Sequence, residues 1–401
     1  MSEATTGQHG QPRDPTQAQL SQRARQVLVA HWNDAGYTAP NVDRYRWQWL
    51  WDSCFHAIVW AELGDERAVV ELASVFDAQD IATGFVPHMT YRDDPAFHAE
   101  FWGRRGASSI TQPPMYGHAA VELVARGVEV PEPVLDRASA GLRFLIDRRA
   151  RSAGGLVELA HPWESGCDDS PRWDDLAGGP FDLPRWYERK GELVASIERG
   201  PDGEPLANPA APVGSVSFSA LVAFNASELG SLTGDAALVD AGQELAEAVS
   251  ERWDPELATW VDDGPTANGS GRARTLDGLL GVLIDPSPDR LAVVGASLVD
   301  PLAHGGAWGP TGVHRDEPTY SPVTYWRGPA WPQLSYLLWV AVSRRGAIAI
   351  ADELARSLRR GAASSGFAEY WHPDTGEGMG AIPQSWTGLS IVARPSDSEQ
   401  A

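Results

Sequence analysis

The chain has 401 residues, 43% of them hydrophobic, with a net charge of -22 and a sequence pI near 4.8. That charge excludes nucleic acid and anionic membranes as partners, and an anionic substrate would need a local basic pocket against the field. Two cysteines, Cys54 and Cys167, make no disulfide framework and suit a reducing compartment.

The first residues, MSEATTGQHGQPRDPTQ, are polar and lack the apolar stretch of a secretory signal, so a cytoplasmic protein is expected. No run of 18 apolar residues is present, so no membrane span is expected. Residues 1–16 and 394–401 read as disordered tails, and 17–393 as one catalytic domain, because no linker or composition shift divides it. A homo-oligomer is left open.

Taken in order, Gln17 to Asn33 carries apolar residues at helical spacing. In RYRWQWLWDSCFHAIVWAEL, the alternating Tyr45, Trp47, Trp49 and Trp51 fit a strand. Asp52-Ser53 then reads as an N-cap, with a buried helix to Leu63. Gly64-Asp65 turns the chain into a helix from Glu66 to Ala78. The device recurs at Gly127, Gly234-Asp235, Pro286 and Gly346, each separating two apolar-periodic segments. With a last segment from Trp386 to Val392, about twelve helices result. Gly155 to Glu158 and Thr259 to Val261 are the best strand candidates. Twelve helices paired in sequence can close into a ring of six hairpins, and Leu337-Leu338-Trp339-Val340 suits an inner helix. Between hairpins lie long Gly/Pro/Trp-rich segments, 79–112, 150–180, 200–214, 300–328 and 362–385. In a toroid these would surround one mouth.

Two of these segments carry the chemistry. His161 to Asp174, HPWESGCDDSPRWD, sets Glu164, Asp168, Asp169 and Asp174 among His161, Trp163 and Trp173. Pro162, Gly166 and Pro171 shape it as a loop. Four carboxylates so close repel unless each has its own partner, and one held beside indole rings has its pKa raised, as a general acid requires. The second segment, FAEYWHPDTGEGMGAIPQSWT, sets Glu369 beside Tyr370-Trp371. Glu377 lies in a GEG turn and reads as solvated. Two carboxylates across a sugar are the equipment of glycoside hydrolysis. Seventeen tryptophans suit cores or flat-faced ligands such as sugars.

ESGCDDSPRWD, YWRGPAW and FAEYWHPDTGEG...QSWT, with YRWQWLWDSCFHA and GFVPHMTY, resemble the glycoside hydrolase family 63 group. The likeness covers roughly residues 40 to 392 and is strongest to its bacterial mannosylglycerate and glucosylglycerate hydrolases. The resemblance implies an all-α (α/α)6 barrel and an inverting, exo-acting α-glycosidase for a small α-glucoside or α-mannoside, so a small-molecule α-glycoside is the expected partner. Asp168 matches the general acid and Glu369 the general base. Asp52 matches the aspartate that holds sugar hydroxyls, while Gln112, Tyr325, Trp326, Arg327 and Gln384 match pocket positions. Trp47, Trp51 and Trp163 would supply walls. Asp169 replaces an expected asparagine, and crowding by Asp169 and Glu164, with burial by Trp163 and Trp173, would raise the acid's pKa further. A glycerate-specific enzyme should carry an arginine and a tyrosine after the acid loop. Here Arg199 is the arginine of ERGPDGEPLANPAAPVGSVSFSALVAF, Ser217-Phe218 stand where a tyrosine would help, and Arg185 and Lys190 are substitutes.

Other chemistries fit less well. Cys54-x-His56 and His161-x5-Cys167 lack zinc-site spacing, so no metal or cofactor is expected. An acidic loop disfavours a Cys167 thiolate nucleophile. A trehalase-like or other neutral α-glucoside hydrolase is the nearer alternative. A sugar epimerase using His88, His118, His304, His314 or His372 is the more distant one. Asp168 and Glu369 separate them, since a hydrolase needs both and an epimerase neither.

Overall fold

A computed structural model describes residues 14–396. Of the expected tails, 1–13 and 397–401 lie outside the described residues. The rest is engaged, since Thr16 and Gln19 form a reciprocal cap on the first helix, and the Ser396 amide bonds Asp352 at 2.8 Å.

The helices are α1 (Gln17–His31), α2 (Leu50–Glu62), α3 (Arg67–Ser74), α4 (Ala99–Trp102), α5 (Tyr116–Ala125), α6 (Glu132–Arg143), α7 (Leu183–Ala195), α8 (Val216–Thr233), α9 (Ala236–Ser250), α10 (Pro288–Val299), α11 (Pro332–Arg344) and α12 (Ile348–Ser364). Two further segments, Asp277–Leu283 and Ser385–Ile391, are 3-10 helices.

An inner ring runs α2, α5, α8, Asp277–Leu283, α11 and Ser385–Ile391, and the last packs back on α2. Behind them stand α3, α6, α9, α10, α12 and α1. This is an (α/α)6 barrel, as the hairpin pattern predicts. Its sixth pair joins the last segment to the first helix, and Gln17 Nε2 donates to the Ile391 carbonyl at 3.0 Å. Inner helices are apolar on every face because they are covered on every face. In α2, every residue from Leu50 to Ala61 is buried.

The return turns carry left-handed glycines, Gly64, Gly127, Gly234 and Gly346, with φ from +66 to +78°. Such a residue ends a helix with no Cβ penalty. Long connections feed the N-termini of the inner elements instead. They are braced by two-stranded antiparallel ribbons, such as Gln48–Trp49 with Met89–Thr90 and Trp253–Asp254 with Thr259–Trp260. Gly155 to Glu158 makes isolated bridges only.

Two expectations are corrected. Asp52-Ser53 is not an N-cap: α2 starts at Leu50, and Asp52 lies in its first turn. The neighbouring loops satisfy the helix start, since the Leu50 amide donates to the His88 carbonyl and the Trp51 amide to Gln112 Oε1. The second concerns 181–199, where no helix is expected. Asp182 caps α7 by accepting from the Arg185 amide, and Trp186, Lys190, Leu193 and Val194 form its buried face.

Candidate active site

Five of the six inner elements carry a candidate residue in their first turn or in the connection that enters them. Asp52 comes from the first turn of α2, and Gln112 from the approach to α5. Asp168 lies between α6 and α8, Tyr325 to Arg327 before α11, and Glu369 and Gln384 before Ser385–Ile391. Glu369 acts on the other two: its charge raises the pKa of both Asp52 and Asp168.

The acid loop is two short 3-10 turns, Pro162–Ser165 and Pro171–Trp173, joined through Gly166 at φ +72°. A Cβ on Gly166 would sit 2.5 Å from the Trp51 ring, so only glycine lets the loop lie on that indole. His161 Nδ1 accepts from the Trp163 amide at 3.1 Å, which leaves Nε2 to donate to the Lys190 carbonyl at 2.9 Å. Burial lowers its pKa to about 3, so the ring is neutral.

The four carboxylates of the loop are sorted by their partners. Glu164 is buried in a two-pronged pair with Arg149, at 3.0 and 2.6 Å, and also accepts from the Thr111 and Ala160 amides. Asp169 takes Lys190 Nζ at 2.8 Å, both buried. Asp174 takes both Nη groups of Arg327. Asp168 alone has no ion pair among the described residues. Its backbone carbonyl is pinned by Trp186 Nε1 at 3.0 Å, while its side chain remains half-buried. Burial, opposed by Lys190 and assisted by Asp169 and Glu369, raises its pKa to about 7. Glu164 does not crowd the acid, because Arg149 has already neutralised it. Trp173 serves from behind, donating Nε1 to the Cys167 carbonyl.

Glu369 is buried, and its carboxylate is held from three sides. Tyr45 and Tyr325 hydroxyls donate to Oε1 at 3.1 and 3.2 Å, and the Ala381 amide donates to Oε2 at 2.8 Å. Burial raises its pKa, while Ala381, Arg44, Tyr45 and Tyr325 pull it back. Glu377 is exposed. Asp52 is buried, with Oδ1 unpartnered among the described residues, and burial followed by the Glu369 charge holds its pKa well above the ordinary value. Gln384 Oε1 is likewise buried and unpartnered.

The aromatic candidates divide. Trp51 meets Trp386 edge-on, Trp386 meets Trp331, and Trp326 stacks on Trp331 with centroids 3.5 Å apart, so Trp326 is held in a ring pile. Trp163 is half-buried beside Lys190 and Trp102. Trp47 lies in a satellite cluster with Tyr91 and Phe97, and none of its ring contacts reaches the three carboxylates. Cys54 and Cys167 are free and buried.

The cations offered for a substrate carboxylate are all engaged. Arg185 Nη2 bonds the Pro180 carbonyl, and Arg199 Nη1 bonds the Ser109 carbonyl. Lys190 and Arg327 are paired as above. Phe218 is core. Arg44, not singled out in the sequence, is exposed, lies over the Tyr45 ring, feels Glu369, and has no ion pair among the described residues. Tyr45 was also missed as a ligand of Glu369, though it opens the aromatic run that marks α2.

Residues 45–387 match the mannosylglycerate hydrolase MGH1-like glycoside hydrolase domain. The chain belongs to this family. As an MGH1-like glycoside hydrolase it is 28% identical to the mannosylglycerate hydrolase of Rubrobacter radiotolerans, over 95% of this chain and 98% of that one. It is 29% identical to the glucosylglycerate hydrolase of Mycolicibacterium hassiacum, over 95% and 99%. The crystal structure of the GH63 mannosylglycerate hydrolase from Thermus thermophilus, in complex with Tris and D-glycerate, superposes with a TM-score of 0.77. It is 25% identical, covering 94% of this chain and 100% of that one. Neutral trehalase Nth1 from Saccharomyces cerevisiae shares the fold, with a TM-score of 0.58 at 13% identity.

Proposed function

We propose that this MGH1-like hydrolase is an inverting, exo-acting enzyme for a small α-glucoside or α-mannoside of glycerate. Asp168 is its general acid and Glu369 its general base. The observation that carries the reading is the sorting of the acid loop, where three carboxylates have cations and Asp168 is left free and raised to about 7. It holds its proton near neutral pH and gives it to the leaving oxygen. Glu369, held by two phenols and an amide, orients and deprotonates the attacking water. Asp52 and Gln384, with unpartnered buried oxygens, accept from sugar hydroxyls. Inversion needs the two carboxyl groups about 6.5–9.5 Å apart, with the water between Glu369 and the sugar. Exo-action is supported by the filled barrel below, where Phe55 meets Tyr336 and the Tyr336 hydroxyl bonds His118.

The engaged state of Arg185, Lys190, Arg199 and Arg327 favours a second reading, a neutral aglycone. Arg44 tests between them, as a cation that feels Glu369 and has no ion pair among the described residues. A hydrolysis screen with glucosylglycerate, mannosylglycerate, trehalose, kojibiose, nigerose and isomaltose, read early by NMR, should give the β-anomer first from a glycerate glycoside. Arg44→Ala should raise KM on that substrate and spare a neutral disaccharide. The α-anomer appearing first sinks inversion, and turnover of neutral disaccharides alone sinks the glycerate reading.

A further inference from the structure

Helix α7 stands outside the twelve elements of the barrel, yet it grips the acid loop at three points. Trp186 Nε1 holds the Asp168 carbonyl at 3.0 Å, Lys190 Nζ holds Asp169 Oδ1 at 2.8 Å, and the Lys190 carbonyl accepts from His161 at 2.9 Å. The ammonium is buried, with the rings of Trp163, Trp186 and Tyr187 at 5.5, 5.6 and 5.6 Å. A lysine on the core face of a helix is costly, and a buried ion pair is a weak source of stability. Its place beside the one unpaired carboxyl of the loop supplies another reason for it.

We infer that Lys190 is a positioning residue of the reaction. From α7 it fixes Asp169 and, with it, sets the electrostatic field in which Asp168 keeps and releases its proton. The inference rests on the reading of Asp168 as the general acid. The charged and titratable groups facing Asp168 are Lys190 from α7, Asp169 and the Cys167 thiol in its own loop, Glu369 from the loop after α12, and the Tyr325 phenol from the loop before α11. The positive charge of Lys190 favours the Asp168 anion, and the negative charge of Asp169 favours its protonated form. The pair therefore holds the acid between two opposed pulls, and each partner's removal shifts it a different way.

The test measures kcat/KM from about pH 5 to about pH 9 for Asp169→Asn, Lys190→Met, the double variant and Lys190→Arg. Each is assayed on the glycoside turned over best and on the matching glycosyl fluoride. Asp169→Asn leaves the ammonium unopposed and should move the alkaline limb down by about one pH unit. Lys190→Met leaves the Asp169 anion unopposed and should move it up by a similar amount. The double variant should return the limb close to wild type, and Lys190→Arg should preserve it. On the fluoride, whose leaving group needs no proton, the alkaline limb should be absent in every case. A purely structural pair would lower activity without opposed shifts that cancel. Should Lys190→Met fail to fold, Asp169→Asn and the uncharged double variant still give the downward shift and its reversal. Single variants that leave the limb in place, or move it the same way, overturn the inference. Asp168→Asn run alongside separates the two readings. Normal turnover of the glycoside by that variant sinks the acid assignment itself, whereas loss on the glycoside with retention on the fluoride leaves only the Lys190 inference at stake.

Discussion

Asp168→Asn should make the protein more stable while stopping turnover of the natural glycoside. The carboxyl titrates at about 7 in the fold, against an ordinary value of 3.8 in the unfolded chain. Below 3.8 both states are protonated and the group costs nothing. Between 3.8 and 7 the folded state binds a proton that the unfolded state has lost, so stability falls as pH rises. Above 7 the full cost is present. Linkage puts that cost at about 4 kcal/mol at pH 8 and about half as much at pH 5.5. Asparagine has the shape of the protonated acid and carries no charge, so it relieves both. For a chain of this length the gain amounts to about 2–5 °C in Tm at pH 8, with a smaller gain at pH 5.5. Thermal unfolding of wild type and variant by calorimetry at the two pH values reads it directly. A variant less stable than wild type at both, or a gain independent of pH, would refute the reasoning that burial holds this acid protonated.

Tyr45→Phe and Tyr325→Phe each remove a donor from the Glu369 carboxylate, raising its pKa further, so the acid limb of kcat/KM should move up by about one unit; an unmoved limb means the phenols do not face the ionised base. Glu164→Gln should cost about 3–5 kcal/mol by stranding the buried Arg149 charge, yet leave the alkaline limb in place, as denaturant unfolding and a pH profile would check. Gly166→Ala brings a Cβ within 2.5 Å of the Trp51 ring at a left-handed φ, and should cost about 2–4 kcal/mol. It should also lower kcat roughly tenfold to a hundredfold as the acid shifts; unchanged Tm and kcat would show that the loop tolerates displacement.

The barrel was legible because its signal is repetitive. A glycine or proline between two apolar-periodic segments recurs often enough to survive errors at single boundaries. The carboxylates were legible through their dense aromatic setting, but their partners were not. Arg149 and Arg327 lie 15 and 153 residues from the carboxylates they neutralise, and no local pattern links them. Helix α7 was hidden by the residue that matters most in it, since Lys190 interrupts the apolar spacing of Trp186, Leu193 and Val194. Asp182, Pro184 and that spacing were the available signal. The misplaced start of α2 has a similar cause. Asp52 has the chemistry of a cap, but its helix start is satisfied by loop groups from residues 88 and 112, and its Oδ1 is left without a partner among the described residues.

The pairing of α1 with Ser385–Ile391 also sets a schedule for synthesis. The apolar face of α1, Leu20, Ala24, Val27 and Leu28, is made first, while the segment that covers it is made last. The hydrogen bond from Gln17 to Ile391 spans 374 residues, which at ribosomal speeds is a wait of about 20–75 s. Over that interval five hairpins can assemble as an open crescent, with α1 leaning on α2 and one inner position vacant. The nascent chain is thus exposed to chaperones and proteases at one known place. A circular permutant that fuses Ser385–Ile391 to α1 and opens the chain at the Gly346 turn would make the slowest pair a local hairpin, moving the long wait to α11 and α12.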